Sequence, residues 1–227
     1  MTFVEIMLTA LRILLIIPAI ILHEISHGYV ASLLGDTTAK DAGRLTINPL
    51  AHIDLWGTIV LPGMMLLLSH GAMAFGYAKP VPINPNRMYK SGYKTGMLLT
   101  GAAGPATNIV LGCVSAVIFR VLTLFATPEI VLYIFGYFTL INMVLAFLNL
   151  IPIPPLDGSR IVQWFLKGTA LQWYSELERY GFVILIALIF ILPQLNQNLD
   201  LIGWYFGRTV IPVTSFLLGS GGAIFGL

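Results

Sequence analysis

VEIMLTALRILLIIPAIILHEISHGYVASLL, residues 4–34, is apolar almost throughout, yet it carries His23, Glu24 and His27 in its C-terminal half. Read as a helix, the stretch is long enough to cross a bilayer. Residues i and i+4 of a helix share a face, so His23 and His27 point the same way. Two imidazoles so placed suit zinc, and the intervening Glu24 can serve as general base toward water on the metal. Ionisable groups in hydrocarbon are costly, which marks the triplet as functional. Pro18, one turn before His23, is expected to kink the helix. Arg12 interrupts the apolar run and no small-residue cleavage site follows. The stretch therefore reads as a retained first span, not a signal peptide.

The rest of the chain has the same character. Of 227 residues, 57% are apolar and 10% charged, against about 25% charged in soluble chains. The mean hydropathy is +0.88. The expected fold is an α-helical polytopic membrane protein, a bundle of about five or six transmembrane helices. Residues 1–227 read as one domain, with no repeat or low-complexity block. Further spans are expected at 97–126, 129–150, 177–193 and 201–218, the last interrupted by Arg208 and Pro212. A short amphipathic helix is expected over 159–167. The net charge of +2 says little about partners, and no nucleic-acid partner is expected. The lone Cys113 lies in an apolar helix and excludes an internal disulfide.

Charge placement orients the bundle. The loops at 36–54, 76–96 and 158–179 hold Lys40, Arg44, Lys79, Arg87, Lys90, Lys94, Arg160, Lys167 and Arg179, nine of the twelve Lys and Arg. If residues 55–75 crossed once, these loops would fall on both sides. If that stretch, broken by Gly57, Pro62-Gly63 and Ser69-His70-Gly71, dips in and returns, all nine share one side, as the positive-inside rule prefers. A re-entrant or β-hairpin element is therefore expected between the first span and the next. The basic side is expected to be cytoplasmic, with the site opening toward it.

Catalytic zinc usually has three protein ligands. Asp157, held in a Pro-Pro-Leu-Asp-Gly turn after an apolar helix, is the best third, and the re-entrant topology brings it to the His23 end. Read alone, it is equally a turn carboxylate capping the helix at Ser159. His52 and Asp54 read chiefly as turn residues, and His70 as a weak metal candidate. Gly101 and Gly104 read as points of close helix contact, Arg120 as a residue near the outer interface. Asn108 and Asn142 are mid-helix amides that join helices more readily than they touch substrate. Asn108 is also retained as a candidate substrate contact.

HEISHGYVA at 23–31, GAAGPATN at 101–108 and NLIPIPPLDGSRI at 149–161, in that order, resemble the site-2 proteases, a family of intramembrane zinc metalloproteases. GRLTINPLAHID at 43–54 and FGYAKPVPIN at 75–84 resemble its short bacterial and archaeal members. The resemblance covers most of the chain and implies a multi-pass protein of the cell membrane acting on transmembrane protein substrates in the bilayer. It implies one Zn2+ per chain on His23, His27 and Asp157, with Glu24 activating water and Asn149 holding substrate or transition state. No PDZ or nucleotide-binding module is seen, so substrate selection would fall to an unidentified membrane partner or to the core itself. A strand-like edge at 43–54 or 75–84 would suit an unwound substrate. The competing readings are a metal-binding membrane transporter and a non-catalytic membrane scaffold.

Overall fold

The computed structural model describes residues 2–60, 63–64 and 78–225. Helix α1 spans Phe3–Leu33, α2 Tyr93–Leu122 and α3 Glu129–Asn149. Two short helices follow, α4 at Gly158–Phe165 and α5 at Gly168–Leu177. Helices α6, Leu201–Arg208, and α7, Val210–Leu218, lie toward the C-terminus. Among the described residues, four helical stretches are long and apolar enough to cross a membrane: Phe3–Leu33, Tyr93–Leu122, Glu129–Asn149 and Leu201–Gly222. The chain is a helical, multi-pass membrane protein. The span expected at 177–193 falls on consecutive 3-10, α and π turns from Glu178 to Leu195.

Local chemistry sets the ends of α1. Thr2 and Glu5 form a reciprocal capping box, Glu5 N–H donating to Thr2 Oγ1 at 3.3 Å and Thr2 N–H to Glu5 Oε2 at 2.7 Å. The helix runs through Pro18, whose ring nitrogen leaves one carbonyl without its usual donor. It ends at Gly35, whose φ of +111° favours glycine.

α2 is the central element, packed along α1, α3 and α4. Its inward face is small or polar, with Gly101, Gly104, Asn108, Gly112 and Ser115 buried, whereas Val110, Val114, Val117 and Val121 are exposed along another. Small residues let helix backbones approach where lipid tails supply no hydrophobic drive between helices. One apolar cluster joins Ala116 and Phe119 to Leu218; a second joins Ile151, Leu156 and Leu185. Arg120, expected to snorkel, donates to the Phe216 and Leu217 carbonyls and so caps α7.

The end of α1 and the start of α2 lie together, Lys90 N–H donating to the Leu34 carbonyl at 3.2 Å. Lys79 N–H likewise donates to the His52 carbonyl at 2.9 Å. Residues 52 and 79 therefore share one end of the bundle. The path between them, where the dip was expected, falls largely at 61–62 and 65–77, outside the described residues, as does His70. Among the described residues no strand forms, and 78–84 is a non-helical strap. Arg44 holds the Lys79 and Pro80 carbonyls at 2.7 and 3.5 Å, so the backbone at 79–80 is already engaged rather than open as a sheet edge.

Candidate metal centre

His23 and His27 stand one turn apart on α1, both buried, their rings 4.7 Å apart and nearly perpendicular. Asp157, also buried, enters from the turn after α3. Its Oδ2 lies 3.1 Å from His23 Nε2 and 3.2 Å from His27 Nε2. Among the described residues this is the one cluster of three potential metal ligands. Asp157 stands at the α4 N-cap position but makes no cap bond, so its carboxylate serves the histidines rather than the helix.

The tautomers follow from the partners. His27 Nδ1 lies 2.5 Å from the Thr100 carbonyl, which can only accept, so Nδ1 carries the proton. For His23 the chain is longer. The Phe138 carbonyl accepts from Asn142 Nδ2 at 2.8 Å, leaving Asn142 Oδ1 to accept from Asn108 Nδ2 at 2.8 Å. Asn108 Oδ1 then accepts from His23 Nδ1 at 2.6 Å. Both Nε2 lone pairs thus face Asp157 Oδ2, a buried atom with no hydrogen-bond partner. Three lone-pair donors converging without a proton between them is the chemistry of a cation site. Tetrahedral zinc with bonds of roughly 2.0–2.2 Å sets its ligand atoms about 3.4 Å apart, close to the spacing between Asp157 and each ring.

Glycines on α2 make this possible. A Cβ on Gly104 would overlap the His23 and His27 rings, and one on Gly101 would sit 2.9 Å from Arg160 Cβ. The close contacts expected of both are thus with the site itself.

The centre opens into a cavity of about 480 Å³ lined by Glu24, Asn149 and Arg160, among others. Glu24 Oε2 accepts from Val81 N–H at 3.1 Å. Pro80 and Pro82 flank Val81 and carry no N–H, so that donor stands alone on its stretch of the strap. Asn149 lies on the cavity wall, its Nδ2 donating to Leu145 O at 3.0 Å. Asn108 does not: it is fully buried behind His23. Its expected role as a substrate contact gives way to fixing a ring, because its amide is used up by His23, Asn142 and Ala19. His52 is buried and donates to the Thr46 carbonyl at 2.8 Å, and Asp54 accepts from Gly57 N–H at 2.7 Å; both build the turn. Arg160 was missed as a site residue and counted only as loop charge. Its i+3 spacing from Asp157 at a helix start was the available signal.

A buried group of two histidines and one carboxylate, beside the Glu24 carboxylate and among apolar helices, is a candidate metal site in a membrane protein. Comparison with known proteins narrows the class. The model described as peptidase family M50 matches residues 124–192. YwhC of Bacillus subtilis, provisionally named a zinc metalloprotease, is 32% identical over 214 residues, 88% of this chain and 93% of its own. Rip2 of Mycolicibacterium smegmatis, named in the same provisional way, is 28% identical over 206 residues, 89% of this chain and 74% of its own. MJ0611 of Methanocaldococcus jannaschii, again a provisionally named zinc metalloprotease, is 30% identical over 145 residues, 63% of this chain and 64% of its own. No solved structure matches the chain. The chain belongs to peptidase family M50, the site-2 protease family, and is a metalloprotease-type hydrolase.

Proposed function

We propose that this protein is a zinc endopeptidase that cuts peptide bonds in or beside transmembrane segments of other membrane proteins. The observation that carries the reading is the convergence of two Nε2 lone pairs on an unpartnered carboxylate oxygen, beside Glu24 in a cavity among membrane helices. His23, His27 and Asp157 would hold one zinc. When bound, zinc supplies a Lewis acid that lowers the pKa of water and polarises a carbonyl. Glu24 accepts the proton of the attacking water and returns it to the leaving amine. Val81 N–H keeps the Glu24 carboxylate turned toward the cavity. Asn149, on the wall, contacts the substrate backbone with its remaining N–H.

Residues 1–227 act as one catalytic domain of the cell membrane. The basic end of the bundle, where Lys79, Lys90, Lys94 and Arg160 gather, faces the cytoplasm, and water enters from there. The substrate is a membrane-embedded chain because the centre lies beside spans, and unwinding at the cavity exposes the scissile bond.

The test is Glu24→Gln in the purified chain, offered a peptide with one transmembrane segment. Cleavage should fall by at least about 10³-fold while zinc stays stoichiometric. A wild-type protein that binds zinc yet cuts no such peptide would sink the proposal.

A further inference from the structure

Among the described residues that line the cavity, Arg160 is the one Lys or Arg. Its Nη1 lies 3.7 Å from Asp157 Oδ1, the oxygen turned away from the imidazoles, and its side chain is 32% exposed. Among the described residues the guanidinium donates no hydrogen bond, whereas its own backbone is fixed by Arg160 N–H donating to the Asp157 carbonyl at 3.0 Å. Gly101 gives the stem its seat: a Cβ there would lie 2.9 Å from Arg160 Cβ and 3.2 Å from its Cδ. The result is a charged, five-donor group on the cavity wall, ion-paired with Asp157 at 3.7 Å and, among the described residues, donating no hydrogen bond. Asn149, the amide on that wall, spends one of its two N–H donors on the Leu145 carbonyl.

Hydrolysis creates one new demand at this place. As water oxygen adds to the scissile carbonyl carbon, the C=O π pair moves onto the carbonyl oxygen, and Glu24 takes the water proton. When the C–N bond breaks, that pair re-forms the carbonyl and the proton goes to the amine. Negative charge therefore appears on one oxygen and then disappears, and donors aimed at it act only in the transition state.

We propose that Arg160 is a further catalytic residue, donating to the developing oxyanion of the substrate carbonyl. The assignment rests on the protease reading above. Its fork also tolerates the neighbouring carboxylate, because Nη1 alone stands near Asp157 Oδ1, at 3.7 Å, and a guanidinium has further N–H groups to offer.

The test compares wild type, Arg160→Gln and Arg160→Lys as full chains in detergent, with a cleavable transmembrane peptide and a phosphinic peptide as oxyanion mimic. Arg160→Gln should lower kcat about 10²–10³-fold with KM little changed. Zinc content should hold, and the phosphinic peptide should bind more weakly by the same factor. Arg160→Lys, which keeps charge but loses the fork, should recover part of both. Wild-type rates in either variant overturn the assignment alone. So does a loss that tracks zinc content, which would make Arg160 a support for Asp157, or one confined to KM. A wild-type chain that cleaves nothing overturns the protease reading and this assignment with it.

Discussion

At the scale of single residues, the centre depends as much on what is missing as on the ligands. Gly104 has no Cβ, and that space is taken by the His23 and His27 rings. Gly104→Ala should therefore cost about 1–3 kcal/mol by overpacking and weaken zinc binding, read by thermal unfolding and zinc content in detergent. Gly207→Ala, on an exposed helix with open space around the Cβ position, should be neutral or stabilising. Equal losses in both variants would show that Gly104 has no special part. His23, Glu24 and His27 were legible because an i, i+4 spacing is a local property of a helix. The Asn108–Asn142 relay and the Thr100 carbonyl were not, because their partners lie 85 and 73 residues away on another helix.

At the scale of elements, the strap and the turn after α1 are bound together by Asp36. This carboxylate is fully buried and accepts from Thr38 N–H at 3.0 Å, Thr38 Oγ1 at 2.5 Å and Asn84 N–H at 2.6 Å. Burial pushes its pKa up, but these bonds and the nearby Arg87 outweigh it and hold the group below its ordinary value of 3.8. The sign follows: a carboxyl depressed in the folded state contributes fully above its unfolded value and loses that contribution as pH falls through the folded one. Stability should thus decline with acid below about pH 4, and Asp36→Asn should flatten that decline while lowering stability at neutral pH. Thermal unfolding of both proteins across pH measures it; parallel curves would contradict the role. Composition marked 36–54 and 76–96 as loops. That Arg44, His52 and Glu24 hold the strap could not be read, because buried polar pairing depends on three-dimensional neighbours.

At the scale of the whole molecule, the two ends of the bundle differ in charge. Lys90 touches the end of α1, Lys94 the end of α4, Arg44 the strap and Arg160 the centre, all at one end. Arg12, bonded to Tyr133 at 2.6 Å, and Arg120, on the α7 carbonyls, lie toward the other. In a Cys113→Ala background, single cysteines at Lys40, Lys90 and Lys167 should all react with a membrane-impermeant thiol reagent from the cytoplasmic side. One at Thr127 should react only from outside. Labelling of the first three from opposite sides would break the topology. The amino-acid sequence by itself determined a helical membrane protein, the histidine pair with Glu24 between its members, and a basic face, because hydropathy, helical spacing and net loop charge are summed along the chain. Only the tertiary structure decided that Asp157 faces both imidazoles rather than capping its own helix, that Asn108 holds a ring rather than substrate, and that Arg160 reaches the cavity. Those outcomes turn on ångström-scale approach between helices, which two glycines on α2 permit and which no local pattern encodes.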